Sequence, residues 1–326
     1  MNTKDTMQKQ ILQHIQDKSV ITPTAISAHF AISRQMVHRH LKNLVDAAKI
    51  KKIGSAPKVF YTPTSDSAGV SDYKISAKTK AIIKQEFFFI EPTGTIFSAV
   101  DGFEKWCQKR HFDISQKARE FAKISQKYQN QKSQGLLDAS SKISKTFGKN
   151  CCVNQLFYFD FYAVEIFGKT KMGQKLLYAK QGQNLLKIKE IVAEIRPAII
   201  KMISKYNIDS VVFVPPTVPR VLQFMKILET ELSLNLPKIP VLKVSGDIRV
   251  AQKTLKKLAD RIENAEHTFV VDSSAKFKTT LIIDDAVGSG ASINQIACKL
   301  QNENSAKVIG FAITGSLNDF EIISEV

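Results

Sequence analysis

A chain of 326 residues, 44% of them hydrophobic and 24% charged, has room for two or three domains with real cores and is excluded from the disordered class. Its formal net charge of +17 points to a polyanionic partner, or to a lysine-rich surface that serves solubility alone. No apolar run approaches the ~20 residues that span a bilayer, and the opening MNTKDTMQKQ lacks a signal-peptide core, so the expectation is a cytoplasmic protein without a membrane partner.

Residues 5–17 place Ile11, Leu12 and Ile15 on one face and read as a first helix. Thr22 and Pro23 supply an N-cap and a first helical residue for a second, which carries Ala25, Ile26 and Phe30 inward. Ser33 caps a third helix running to about Ala47, with Val37, Leu41 and Leu44 toward the core. Its other faces carry Arg34, Gln35, His38, Arg39 and Lys42, residue types that reach phosphates and base edges from the major groove. Ile50 to Tyr61 then reads as a hairpin around a Gly/Ser/Pro turn, with Lys51, Lys52 and Lys58 on its arms.

Three short helices and a basic hairpin resemble a winged helix-turn-helix, over about residues 5–64. Within residues 1–64 there are ten Lys/Arg against three Asp/Glu, and Asp46 is the only acid between Ser19 and Thr64. The resemblance implies double-stranded DNA as the partner, with Lys51, Lys52 and Lys58 on phosphates and Arg34, Gln35 and Arg39 setting sequence preference. It also implies a homodimer on paired half-sites. A helical module for protein contacts is the alternative.

Residues 63–73 are small and polar and read as a linker. After them, Phe87 to Ile90 reads as a short strand, Gly102 to Cys107 begins a helix, and residues 115–133 form a charged helix with Ala118, Phe121 and Ile124 in a thin apolar stripe. The aromatic residues read as a small core, so residues 65–150 are expected to form a linker and a small, mainly helical connecting region. None of the four cysteines forms a C-x-x-C pair, and no zinc site is expected. The adjacent Cys151 and Cys152 weigh as buried or incidental thiols against redox chemistry.

From Leu156 strands and helices alternate. The aromatic run LFYFDFYAVEIFG suits a strand or hairpin; residues 187–206 suit a helix; Ser210 to Val214 is a strand stopped by Pro215 and Pro216. Then come helix 219–233, strand Val241 to Val244, helix 251–263, strand Phe269 to Val271, strand Leu281 to Ile283, helix Ala291 to Leu300 and strand Val308 to Thr314. This pattern implies an α/β domain over 151–326, a mainly parallel sheet with flanking helices that binds ligands at the carboxyl ends of its strands.

One such end is distinctive. The strand Leu281 to Ile283 stops at Asp284 and Asp285, and a loop with Gly288 and Gly290 leads into the helix beginning at Ala291. The glycines let the backbone turn N–H groups inward, and the helix start adds more N–H groups and a partial positive charge, which suits a phosphate monoester. Ser289 and Ser292 offer hydroxyl donors, while the two acids suit sugar hydroxyls or a hydrated Mg²⁺. A polar turn after a core strand is the plainer alternative.

The run Leu281-Ile282-Ile283-Asp284-Asp285-Ala286-Val287-Gly288-Ser289-Gly290-Ala291-Ser292 resembles the phosphoribosyl pyrophosphate motif of type I phosphoribosyltransferases, with Ser289 where the family usually has Thr. Gln252 and Leu255, Arg261 and Asn264, and Phe269 look like the Q-x-x-L, R-x-x-N and Phe pattern of the competence-protein ComF type, over about residues 156–316. Two departures are an extra residue between Leu255 and Arg261 and a shortened string at Pro219-Arg220-Val221-Leu222-Gln223; the family's N-terminal zinc-binding cysteines are also absent.

The resemblance implies the type I phosphoribosyltransferase fold. It implies that Val287, Gly288, Ser289, Gly290, Ala291 and Ser292 hold the 5-phosphate, and that Asp284 and Asp285 hold ribose hydroxyls directly or through Mg²⁺. It further implies that Arg220 faces pyrophosphate. Lys243, Arg249 and Lys253 are placed either over the site or on the bare surface. Two functions follow: transfer of phosphoribosyl to an unidentified acceptor, or a transcription regulator sensing phosphoribosyl pyrophosphate or a nucleotide.

Overall fold

The computed structural model describes residues 3–18, 21–53, 59–63, 74–91, 93–216, 220–244, 255, 257–303 and 305–316. They divide into two units, Met1–Tyr73 and Lys74–Val326.

The first unit contains α1 (Thr3–Lys18), α2 (Pro23–Phe30), α3 (Arg34–Asp46), β1 (Ile50–Ile53) and β2 (Phe60–Pro63). Both expected caps form: Thr22 Oγ1 accepts from the Ala25 N–H at 3.2 Å, and Ser33 Oγ from the Met36 N–H at 3.3 Å. The strands pair antiparallel, from Ile50 opposite Pro63 to Ile53 opposite Phe60, and Ile21 bridges Tyr61 on the other side of β2. Ile11, Ile15, Ile26, Val37, Leu41 and Leu44 close one core beneath the hairpin residues Ile50 and Tyr61.

The second unit runs α4 (Ala77–Glu86), β3 (Phe88–Ile90), β4 (Ile96–Ser98), α5 (Ala99–Gln108), α6 (Ile114–Gln129), β5 (Lys132–Ser133), β6 (Leu136–Asp138), α7 (Ser140–Phe147), β7 (Gln155–Phe161), β8 (Ala163–Val164), β9 (Gly168–Lys169), α8 (Lys171–Gln181) and α9 (Leu185–Tyr206). It continues with β10 (Ser210–Phe213), α10 (Phe224–Leu232), β11 (Val241–Lys243), α11 (Leu258–Thr268), β12 (Phe269–Val271), β13 (Phe277–Val287), α12 (Ala291–Glu303) and β14 (Ser305–Gly315).

Six strands form one mixed sheet in the order β10-β13-β14-β7-β6-β5. The first four are mutually parallel; β6 and β5 join antiparallel. The connecting region expected to end at residue 150 therefore does not stand apart, because β5 and β6 extend the same sheet as β7. α8, α9 and α10 cover one face, where Leu176, Ile188, Ile191, Ile195 and Leu228 meet Leu281, Ile283, Ile309 and Phe311. α12 lies against the opposite face, with Ile293 packed over Gly310.

Four expectations need correcting. β11 and β12 leave the main sheet and pair antiparallel with each other. A parallel strand buried on both faces needs an unbroken apolar run; β11 ends in Lys243, and Leu242 and Val270 stay exposed. The helix expected over 219–233 begins at Phe224, and the one expected over 251–263 spans Leu258–Thr268, with residues 251–254 outside the described set. Cys152 is no incidental thiol: it is disulfide-bonded to Cys298 of α12, with Cα atoms 4.9 Å apart. Cys151 remains free, as does the buried Cys107, whose thiol is pushed up to about 12 by burial.

Candidate functional site

The first surface is the outer face of α3. At 3.6 residues per turn, Arg34, Gln35, His38, Arg39 and Lys42 fall within an arc of about 140°. All five are exposed, while Val37, Leu41, Leu44 and His40 fill the opposite side. Burial, and then the Arg39 charge, push the His40 pKa below its usual value. Lys52 is exposed on β1; the Lys51 side chain and Lys58 lie outside the described set.

The second site is the carboxyl end of β13. The strand does not stop before the acids but runs through them: Asp284 is in register with Ala312, and Ala286 with Thr314 of β14. The two carboxylates have different surroundings. Asp285 Oδ2 pairs with Lys180 Nζ of α8 at 2.7 Å, both side chains mostly buried. Asp284 Oδ1 accepts from the Asp285 N–H at 2.8 Å. Burial first, and the Asp285 charge second, push the Asp284 carboxyl up to about 7, against the opposing pull of that hydrogen bond, Lys180 and Lys243.

Lys243 therefore belongs beside the acids. Burial lowers its pKa and Asp284 opposes that shift, and its ammonium lies 5.0 Å from the Phe269 ring centroid. Arg249 and Lys253 lie outside the described residues. Arg220 donates through Nη1 to the Lys180 carbonyl, one residue from the end of α8, where a helix presents partial negative charge. Arg220 thus reaches the residue that holds Asp285.

Beyond β13, Gly288 and Ser289 turn the chain and Gly290, at φ +82°, delivers it to α12. That angle suits glycine, and the place of a Cβ there is 3.1 Å from Ile143 Cδ1 of α7, so a side chain is doubly disfavoured. Val287 and Ala291 are buried, which leaves only their backbones to meet a ligand; Gly288, Ser289 and Ser292 stay partly exposed. The Ser289 hydroxyl accepts from the Ala291 N–H at 3.4 Å, and the first turn of α12 carries N–H groups with no intrahelical acceptor.

Two residues that sequence reasoning missed complete the surroundings, Lys180 and Lys142. Lys142 of α7 is buried, and its Nζ donates to Gly288 O at 2.8 Å and to Ser316 O. Neither has a local sequence signal, because the partners lie more than a hundred residues away. A separate shallow cleft lies where α4 and α6 meet the end of β7. Its charged groups are already engaged, Lys132 with Asp160 at 2.9 Å and Gln129 with Glu86 at 3.1 Å.

Residues 4–51 match the family model for winged helix-turn-helix DNA-binding domains, and the three helices and hairpin of the first unit have that architecture. No curated protein matches the chain. Among the described residues, no helix is long and apolar enough to cross a membrane.

Proposed function

We propose that the chain is a DNA-binding regulator whose second unit binds phosphoribosyl pyrophosphate through residues 284–292. The observation that carries this reading is the order at the end of β13: two partly buried carboxylates, a glycine turn and the first turn of α12. The N–H groups and hydroxyls of Gly288 to Ser292 suit the 5-phosphate, and Asp284 suits the ribose hydroxyls.

Mg²⁺ fits this set as a shared ion. Among the described residues no third His, Cys, Asp or Glu joins the two acids, and Mg²⁺ usually takes one or two carboxylates and completes its shell with water and phosphate oxygens. Asp284 and Asp285 would hold it, and it would neutralise charge on the pyrophosphate. Lys180 and Arg220 supply fixed positive charge on the same side.

Phosphoribosyl transfer is the second reading, favoured by one observation: a carboxyl poised at about 7 beside a charged partner is the kind of perturbed group that marks catalytic sites. Titration calorimetry of the full chain with phosphoribosyl pyrophosphate and Mg²⁺ tests the shared claim, and binding tighter than about 100 μM, roughly 5.5 kcal/mol, is expected. No heat with ligand in excess would sink it. Pyrophosphate release with common bases, above the hydrolysis background, would turn the regulator into an enzyme.

For the DNA half, Lys52→Ala is expected to weaken binding equally on all duplexes and to reduce the salt slope by about one, whereas Arg39→Ala relaxes preference at one base position. Gel-shift titrations at several salt concentrations separate the two. Equal effects of both substitutions on every duplex would remove the assignment of Arg39 to base reading.

A further inference from the structure

We infer that Lys142 is the positioning residue of the phosphate loop: a buried cation that fixes which way the Gly288–Ser289 peptide points. The inference rests on the sugar-phosphate reading for its ligand, but its geometry stands alone. Lys142 is 6% exposed and sits in the first turn of α7, as its third residue. Its ammonium donates to the carbonyl of Gly288 at 2.8 Å and to that of Ser316, just past the end of β14. One side chain thus ties together the chain leaving β13 and the chain leaving the neighbouring strand.

A trans peptide is planar, with its C=O and the following N–H pointing in opposite directions. Holding the Gly288 oxygen toward Lys142 therefore turns the Ser289 N–H away from α7, as an anion site requires. Gly288 has no Cβ to resist the reverse orientation. Without Lys142 the peptide can flip and present a carbonyl oxygen to a phosphate, turning an attractive contact into a repulsive one.

The same helix braces the next residue of the loop. The Cβ position of Gly290 is 3.1 Å from Ile143 Cδ1 and 3.7 Å from Phe147 Cε2. Beyond α7, the Cys152 N–H donates to Asn294 Oδ1 at 2.9 Å, and Cys152 is bonded to Cys298. The segment carrying Lys142 is thereby fastened to α12, the helix that the loop leads into. Lys142 acts on the anion through the backbone it orients, and the ligand class is a phosphate monoester.

The test compares full chains carrying Lys142→Met and Lys142→Arg with the parent. Calorimetry with ribose 5-phosphate reads affinity, and amide hydrogen exchange over residues 287–292 reads the loop without ligand. Lys142→Met is expected to weaken ribose 5-phosphate binding at least tenfold and to speed exchange at Ser289. Lys142→Arg, which can donate to both carbonyls, is expected to stay within about threefold of the parent. A merely structural lysine would not be rescued by arginine in both readouts. Unchanged exchange at Ser289 in Lys142→Met overturns the inference whatever the affinity; should that variant not fold, exchange at Ser289 in Lys142→Arg more than about threefold faster than in the parent overturns it. A parent chain that binds no ribose 5-phosphate, with exchange still faster in the variant, sinks the sugar-phosphate reading and leaves the positioning role standing.

Discussion

The full chain carrying Asp284→Ala with Asp285→Ala is expected to lose phosphoribosyl pyrophosphate affinity by more than about 100-fold while its DNA affinity stays within about twofold. Hydrogen bonds to charged groups contribute roughly 1.5–3 kcal/mol each, and removing two exceeds the ~2.8 kcal/mol of a hundredfold change. The DNA-binding surface proposed for α3 and β1 lies in the other unit and uses neither acid. Asp285→Ala also leaves the mostly buried Lys180 ammonium without its carboxylate, so a melting curve must accompany the titration. The pair Asp284→Asn with Asp285→Asn repeats the test with shape kept. Affinity within threefold of the parent in either double variant would remove the acids from the site.

The second large effect is on stability. Asp284→Asn is expected to stabilise the ligand-free protein at pH 8 by on the order of 1–3 kcal/mol. The folded carboxyl is raised to about 7, whereas an unfolded aspartate titrates near 3.9. Between those values the folded state binds the extra proton, so this group favours folding at low pH. Its contribution declines by up to ~1.4 kcal/mol per unit as pH rises from about 4 to about 7, and changes little above that. Denaturant melts from pH 5 to 8 should show the difference between parent and variant growing with pH and levelling off above about 7. A constant difference across that range would mean that Asp284 is not held protonated by its surroundings. A stabilising substitution at a residue needed for binding is the usual mark of a functional group kept at some cost to the fold.

What could be read beforehand follows the range of the interaction. Thr22 and Ser33 cap helices three residues away, and the spacing of Val37, Leu41 and Leu44 marks one face of one helix, so the first unit was legible almost element by element. The strand, glycine loop and helix from Leu281 to Leu300 were legible for the same reason. The course of β13 through both acids was not, because its continuation is set by pairing with Ala312 and Thr314 of β14. Lys142, Lys180 and the bond between Cys152 and Cys298 join residues 105 to 174 apart, and no local pattern announces such partners. β11 and β12 were expected in the main sheet because three or four apolar residues look alike in either setting; only exposure of Leu242 and Val270 distinguishes them.

The strand order β13-β14-β7 has a consequence for synthesis. Both flanking strands precede Ser305 in the chain, so the pairings at the middle of the sheet can form only once β14 has been made. Open edges are where strands recruit strangers. The eleven residues of β14, among them the fully buried Val308, Ile309, Phe311, Ala312 and Ile313, are therefore the apolar strand whose arrival joins the two halves of the sheet.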